Sequence, residues 1–113
     1  MKELNEVCNK FLDNADLIIS KNNSVDIEFI FYVYWKVDDK YWKIIFNCNN
    51  IISSNIRWDN YLTNDLLLVL LVKVNMLNWI YNVYIEWDVE LKIECKDFQW
   101  DMNTISKNEY DKK

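Results

Sequence analysis

In 113 residues the chain contains no glycine and no proline, so every reversal has to be made by residues that carry a Cβ. Asparagine and aspartate tolerate the left-handed region best after glycine, because their short polar side chains bond the local backbone. Turns are therefore expected at Ser20-Lys21-Asn22-Asn23-Ser24, at Asp38-Asp39-Lys40, at Asn49-Asn50 and through the polar stretch Asp59 to Asp65. They should be strained or longer than two residues.

The same absence bears on function. Phosphate cradles of the P-loop and dinucleotide type need a glycine where backbone meets phosphate, and none exists. Histidine is missing too, which removes Ser-His-Asp and Cys-His catalysis and every zinc site with an imidazole ligand. Any enzyme built here must rely on carboxylates, Lys, Tyr or Cys. Part of the pattern reflects coding: Phe, Tyr, Met, Ile, Asn and Lys, with A/T-rich codons, fill 56 positions. An A+T-rich gene fits a low-GC bacterium, an endosymbiont, a phage or a mobile island. Six tryptophans, each needing a TGG codon, run against that bias.

At 51% hydrophobic and 27% charged residues, the chain reads as a single domain over 1–113 with a real core. Residues 2 to 20 carry Leu4, Val7, Cys8, Phe11, Leu12, Ala15, Ile18 and Ile19 at i, i+3, i+4, i+7 spacing, which predicts an amphipathic helix. From Val25 the period becomes 2. Ile27, Phe29, Phe31, Val33 and Trp35 alternate with Glu28, Ile30, Tyr32, Tyr34 and Lys36, and Trp42, Ile44, Phe46 and Cys48 return on a second strand. A turn at Asn49-Asn50 would lead into a shorter strand over 51–58. Leu66 to Leu77 is ambiguous between helix and strand, and the alternation of Val72, Val74 and Met76 with Lys73 and Asn75 favours a strand. Val83 to Cys95 alternates most clearly. Its length suggests a hairpin near Trp87-Asp88, and the phase slips at Lys96-Asp97. A polar tail, 103–113, is expected to fray. The predicted fold class is α+β: an N-terminal amphipathic helix packed on a mainly antiparallel sheet of about five to seven strands, with the β-rich part spanning 25–102.

Net charge is −5, and the stretch from Asn82 to Asp101 alone contributes −4, from six acids against Lys92 and Lys96. Basic residues are scattered singly, so nucleic acid is not an expected partner. The longest apolar run, Leu66 to Val72, is too short to span a bilayer, and Met1 to Glu6 lacks the apolar core of a secretory signal. Cys8, Cys48 and Cys95 are spaced by 40 and 47 residues, neither a disulfide framework nor a metal pattern. A reduced, cytoplasmic protein without membrane or cofactor follows as the expectation. The cysteines lie on apolar faces and read as core thiols.

Glu86, Asp88, Glu90 and Glu94 recur at even spacing and would share one strand face, neighbours about 6.5 to 7 Å apart. Such a row reads first as a solvated face with Lys92 and Lys96 as charge partners; of the functional readings, an acidic surface that docks a basic protein accounts for the local charge better than a cation or hydrolytic site does. Tyr32, Tyr34 and Tyr84 alternate away from the core and would stand beside these acids. Trp58, Asp59 and Tyr61 fall in a loop, where aromatic residues suggest recognition. The sequence therefore predicts a small protein-binding inhibitor facing a basic partner such as a toxin or nuclease, with no catalytic residues and no metal. A carboxylate/divalent-metal hydrolase and a homo-oligomeric structural subunit are the alternatives.

Overall fold

The computed structural model describes residues 2–12, 15–21, 23, 25–58, 67–87 and 89–113. It is built from α1 (Lys2–Phe11), β1 (Ala15–Lys21), β2 (Ile27–Trp35), β3 (Lys40–Trp58), β4 (Leu67–Leu77), β5 (Ile80–Trp87), β6 (Val89–Ile105) and α2 (Lys107–Asp111). The six strands close into a barrel in the order β1-β2-β3-β6-β5-β4, each neighbouring pair antiparallel. The expected sheet with a short N-terminal helix is present, but the molecule is mostly β.

The helix is half as long as its apolar spacing suggests. Leu4, Val7, Cys8 and Leu12 are buried, whereas Ala15 to Lys21 is strand β1. Ala15, Leu17 and Ile19 point to the core, and the strand bonds to β2 on one side and β4 on the other. A short apolar segment fits both periods, and the barrel decides between them because β1 supplies the pairing that closes it.

The interior is filled by one residue in two along each strand. Phe31 of β2 meets Phe46 of β3 edge to face at 4.9 Å, Phe46 meets Phe98 of β6 at 5.2 Å, and Phe98 stacks on Tyr81 of β5 at 5.6 Å. This ladder ties four consecutive strands together, each ring pair contributing about 0.5–1.5 kcal/mol beyond its burial. The three cysteines are buried thiols. Burial pushes Cys8 up to about 12, and a hydrogen bond with Cys95, then burial, raises Cys48 well above its ordinary value. The same hydrogen bond lowers Cys95, so Cys8 and Cys48 are held as thiols and Cys95, itself buried, is the one of the three shifted toward a thiolate.

Instead of ending in a turn at Asn49-Asn50, β3 runs through to Trp58, 19 residues in all, and bends. Cys48 and Ile51 both face the core, so the side-chain phase slips there, as it does on the paired strand between Cys95 and Phe98. Asn50 carries the bend with φ 54°. Its side-chain amide donates to Asp97, its backbone N–H donates to Asp26 Oδ1 at 3.3 Å, and Asp26 also accepts from Asn23 Nδ2 at 2.8 Å. The β4–β5 turn also uses two left-handed residues, Asn78 (φ 53°) and Trp79 (φ 65°), which is the type I′ arrangement glycine ordinarily supplies.

The C-terminal segment also departs from expectation. Where a fraying tail was expected from Asn103, β6 continues to Ile105, and Ser106 caps α2 by accepting from the Glu109 backbone N–H at 3.1 Å. Tyr110 of α2 packs on Tyr41 of β3 at 4.7 Å. Lys113 pairs with Asp16 at 3.6 Å, so the helix lies on the outer face of β1, β2 and β3.

Candidate functional site

The hairpin predicted near Trp87-Asp88 folds the row of acids back on itself. Glu86 is the next-to-last residue of β5 and Glu90 the second of β6, and the two stand directly opposite each other across the ladder. With β4 and β3 on either side, the outward positions make a grid. One row reads Leu71, Glu86, Glu90, Arg57; the next Lys73, Tyr84, Lys92, Asn55; the third Asn75, Asn82, Glu94, Ser53. A shallow cleft of about 390 Å³ runs along the second and third rows, lined among others by Asn55, Asn82, Tyr84, Lys92 and Glu94.

Tyr84 lies at the centre. Its hydroxyl donates to Glu86 Oε2 at 2.9 Å, and Lys92 Nζ sits 5.7 Å from its ring centroid. The hydrogen bond to Glu86, burial, and the charges of Glu86 and Glu90 all raise the Tyr84 pKa above 10.0. Two carboxylates facing each other are unfavourable in a sheet, where directly opposed like charges destabilise. Lys73 and Lys92, cross-strand from Tyr84 on either side, lie one row away and leave the acidic end of the grid with Arg57 as its basic neighbour. The sequence reading did not single out Lys73, Asn55, Asn82 or Arg57, because only the cross-strand registers place them here.

The predicted residues do not all converge. Tyr84, Glu86, Glu90 and Glu94 share the β5–β6 face, whereas Tyr32 and Tyr34 lie on β2, on the opposite wall of the closed barrel. They are therefore not beside these acids. Tyr32 is buried, with Lys43 Nζ 5.9 Å from its ring. Tyr34 stacks on Tyr41 at 4.7 Å and donates to Asp39 Oδ1 at 2.7 Å, a bond that raises its pKa. Trp58 pairs through its backbone with Val89 at the end of β3. Asp59, Tyr61 and Asp88 lie outside the described residues.

Two further surfaces stand out. Trp79, 86% exposed, tops the β4–β5 hairpin beside exposed Leu77; the sequence reading did not place a turn there. The second is the aromatic and charged patch of Tyr34, Tyr41, Tyr110, Lys43 and Glu109, where Lys43 and Glu109 approach to 3.9 Å. Among the described residues, no group of three or more Cys, Asp or Glu side chains is placed to hold a metal ion. Among the described residues no helix is long and apolar enough to cross a membrane.

No protein-family model and no curated protein matches the sequence. Among solved structures, the chain is similar to the crystal structure of an uncharacterized protein from Neisseria gonorrhoeae, with a TM-score of 0.60 at 14% identity. The match covers 79% of this chain and 91% of that one, and it shows a shared fold.

Proposed function

We propose that the chain is a small, non-catalytic cytoplasmic protein that binds and neutralises a basic protein, in the manner of an immunity protein facing a toxin or a phage-encoded inhibitor facing a host nuclease. The observation that carries this reading is the Glu86–Glu90 pair with Tyr84 bonded to it, an acidic and aromatic surface on the β5–β6 hairpin. Such a surface matches the cationic cleft that a nuclease presents to its substrate phosphates. Its charge raises the association rate, and Tyr84 supplies contact area at low entropic cost. Of the residues first read as partner-binding, Tyr84, Glu86, Glu90 and Glu94 stay in this surface.

The test is binding to the product of the adjacent reading frame, measured by calorimetry at two salt concentrations. Tight binding that weakens with salt, and that falls by about a hundredfold or more in a Glu86→Lys/Glu90→Lys variant, supports the proposal. Binding that is unchanged by both substitutions and by salt overturns it.

A further inference from the structure

Among the described residues several strands of this barrel extend past their neighbours, and the longest such edges on β4 and β6 are covered or blocked. β4 pairs with β1 over residues 67–69 and then runs on against α1. β6 pairs with β5 only as far as Cys95, and on its later part Asp101 accepts the Met102 backbone N–H at 3.1 Å and the Asn103 amide at 3.0 Å. A carboxylate that takes up the edge's own donor is a standard way to stop strand addition.

The edge on β3 is different. β3 pairs with β2 as far as Cys48, and the last bond on that side runs from Ile51 N–H to Val25 O at 2.9 Å. Beyond it Ile52, Ser53, Ser54, Asn55 and Arg57 are exposed, and among the described residues no strand pairs with them on that side. The segment from Ile52 to Ile56 carries no charge and no bulky side chain that would block an added strand. It ends at Arg57, the one arginine in the sequence.

We propose that this edge pairs antiparallel with the same edge of a second copy of the chain, joining two barrels through one continuous sheet. A two-fold axis at Asn55 sets Asn55 opposite its counterpart and Ser53 opposite Arg57 of the other copy. Ser53 has Glu94 as its cross-strand neighbour on β6. Each Arg57 thus arrives two strand spacings, roughly 10 Å between Cα atoms, from the Glu94 of the other copy, within reach of two extended side chains. The dyad repeats this pairing at both ends of the seam, so the edge is complementary in charge to itself. A planar guanidinium suits a carboxylate approached across a sheet. The seam leaves Tyr84 and Glu86 uncovered and does not depend on the proposed inhibitor role.

Sedimentation equilibrium of the purified chain, from micromolar to roughly millimolar concentration, tests the pairing. The expected result is a reversible monomer–dimer equilibrium. Arg57→Glu and Glu94→Arg each weaken it by at least about tenfold, the double variant Arg57→Glu/Glu94→Arg recovers it, and Asn55→Lys, which sets two ammonium groups face to face, abolishes it. All these positions are outward-facing, and far-UV circular dichroism checks that each variant is folded. A monomer across the whole range overturns the proposal and leaves the edge to a strand from a different protein. A dimer indifferent to Arg57→Glu and Asn55→Lys overturns it equally, because the copies then meet elsewhere.

Discussion

Asn50 provides the sharpest test of how a chain without glycine bends its strands. Two separate contributions meet at this residue: a backbone at φ 54° and a side-chain amide bonded to Asp97. Alanine removes the side-chain bond and bears the left-handed penalty in full. At about 0.5–1.5 kcal/mol for the bond and about 1 kcal/mol for the backbone, Asn50→Ala should cost roughly 1.5–2.5 kcal/mol. Glycine loses the same bond but relieves the backbone, at the expense of unfolded-state entropy. Asn50→Gly should therefore be more stable than Asn50→Ala by about 0.5–1 kcal/mol. Repeating both substitutions on Asp97→Ala separates the terms: the alanine–glycine gap persists, while the cost of losing the amide shrinks. Urea unfolding followed by fluorescence of the six tryptophans resolves differences of this size. Equal stability of the alanine and glycine variants in both backgrounds would refute the argument that the left-handed backbone is what selects Asn50.

Two other expectations follow from packing and ionisation. Phe46→Ala breaks two ring contacts at the middle of the ladder and opens a fully buried cavity, so it should cost about 3–5 kcal/mol, read as a lowered urea midpoint; a loss under 1 kcal/mol would contradict the ladder. Tyr84 has its folded pKa raised above 10.0, first by the hydrogen bond to Glu86, so the folded state holds the phenolic proton longer than the unfolded chain. Its contribution to stability is complete below pH 10 and is lost as pH rises through the folded value. Tyrosinate absorbance should show a late-titrating phase, shared with Tyr34 and Tyr110, whose amplitude Tyr84→Phe reduces and from which Glu86→Gln moves one tyrosine back toward 10; a phase unaffected by either substitution would rule out this assignment.

The strands were legible because alternation survives any tertiary context: Ile27 to Trp35 and Val83 to Cys95 read as strands from their period alone. For the ambiguous stretch Leu66 to Leu77 the same reasoning, from Val72, Val74 and Met76, favours a strand, and β4 is found there. The period failed where it was shared. Leu12, Ala15, Ile18 and Ile19 satisfy a helical stripe, and only the partners of β1 on both sides show that 15–21 is extended. Asn49-Asn50 failed for another reason. A left-handed asparagine signals a sharp change of direction but does not distinguish a reversal from a bend, and the bonds to Asp26 and Asp97 that choose the bend come from residues 24 and 47 positions away.

The site shows the same limit. That Glu86, Glu90 and Glu94 share a face with Tyr84 follows from parity, and the hairpin preserves it. That Tyr32 and Tyr34 stand across the barrel depends on strand order, which local periodicity does not encode. Correct alternation can therefore place a residue outside the barrel without placing it beside any other outward residue.

The outer grid also separates what the fold needs from what it tolerates. Inside, the requirement is strict: Phe29, Phe31, Phe46, Ile44, Ile85 and Leu91 are fully buried, and a polar replacement there would leave an unsatisfied group. Outside, a sheet built for stability alone would set Lys opposite Glu at positions 86 and 90, gaining a cross-strand pair worth a few tenths of a kcal/mol to about 1 kcal/mol. The chain sets Glu opposite Glu and bonds a tyrosine to one of them. Since barrel closure and the aromatic ladder are carried by other residues, folding gives no reason for that arrangement. In the proposed role, a cationic surface turns the cost of opposed carboxylates into attraction. The same physics applies at the seam proposed for β3, where Arg57 next to Glu90 in the ladder gains a second acid, Glu94, only when another copy is present. Both arguments concern charges that the fold does not require, so substitutions there should change association without moving the unfolding midpoint by more than about 1 kcal/mol.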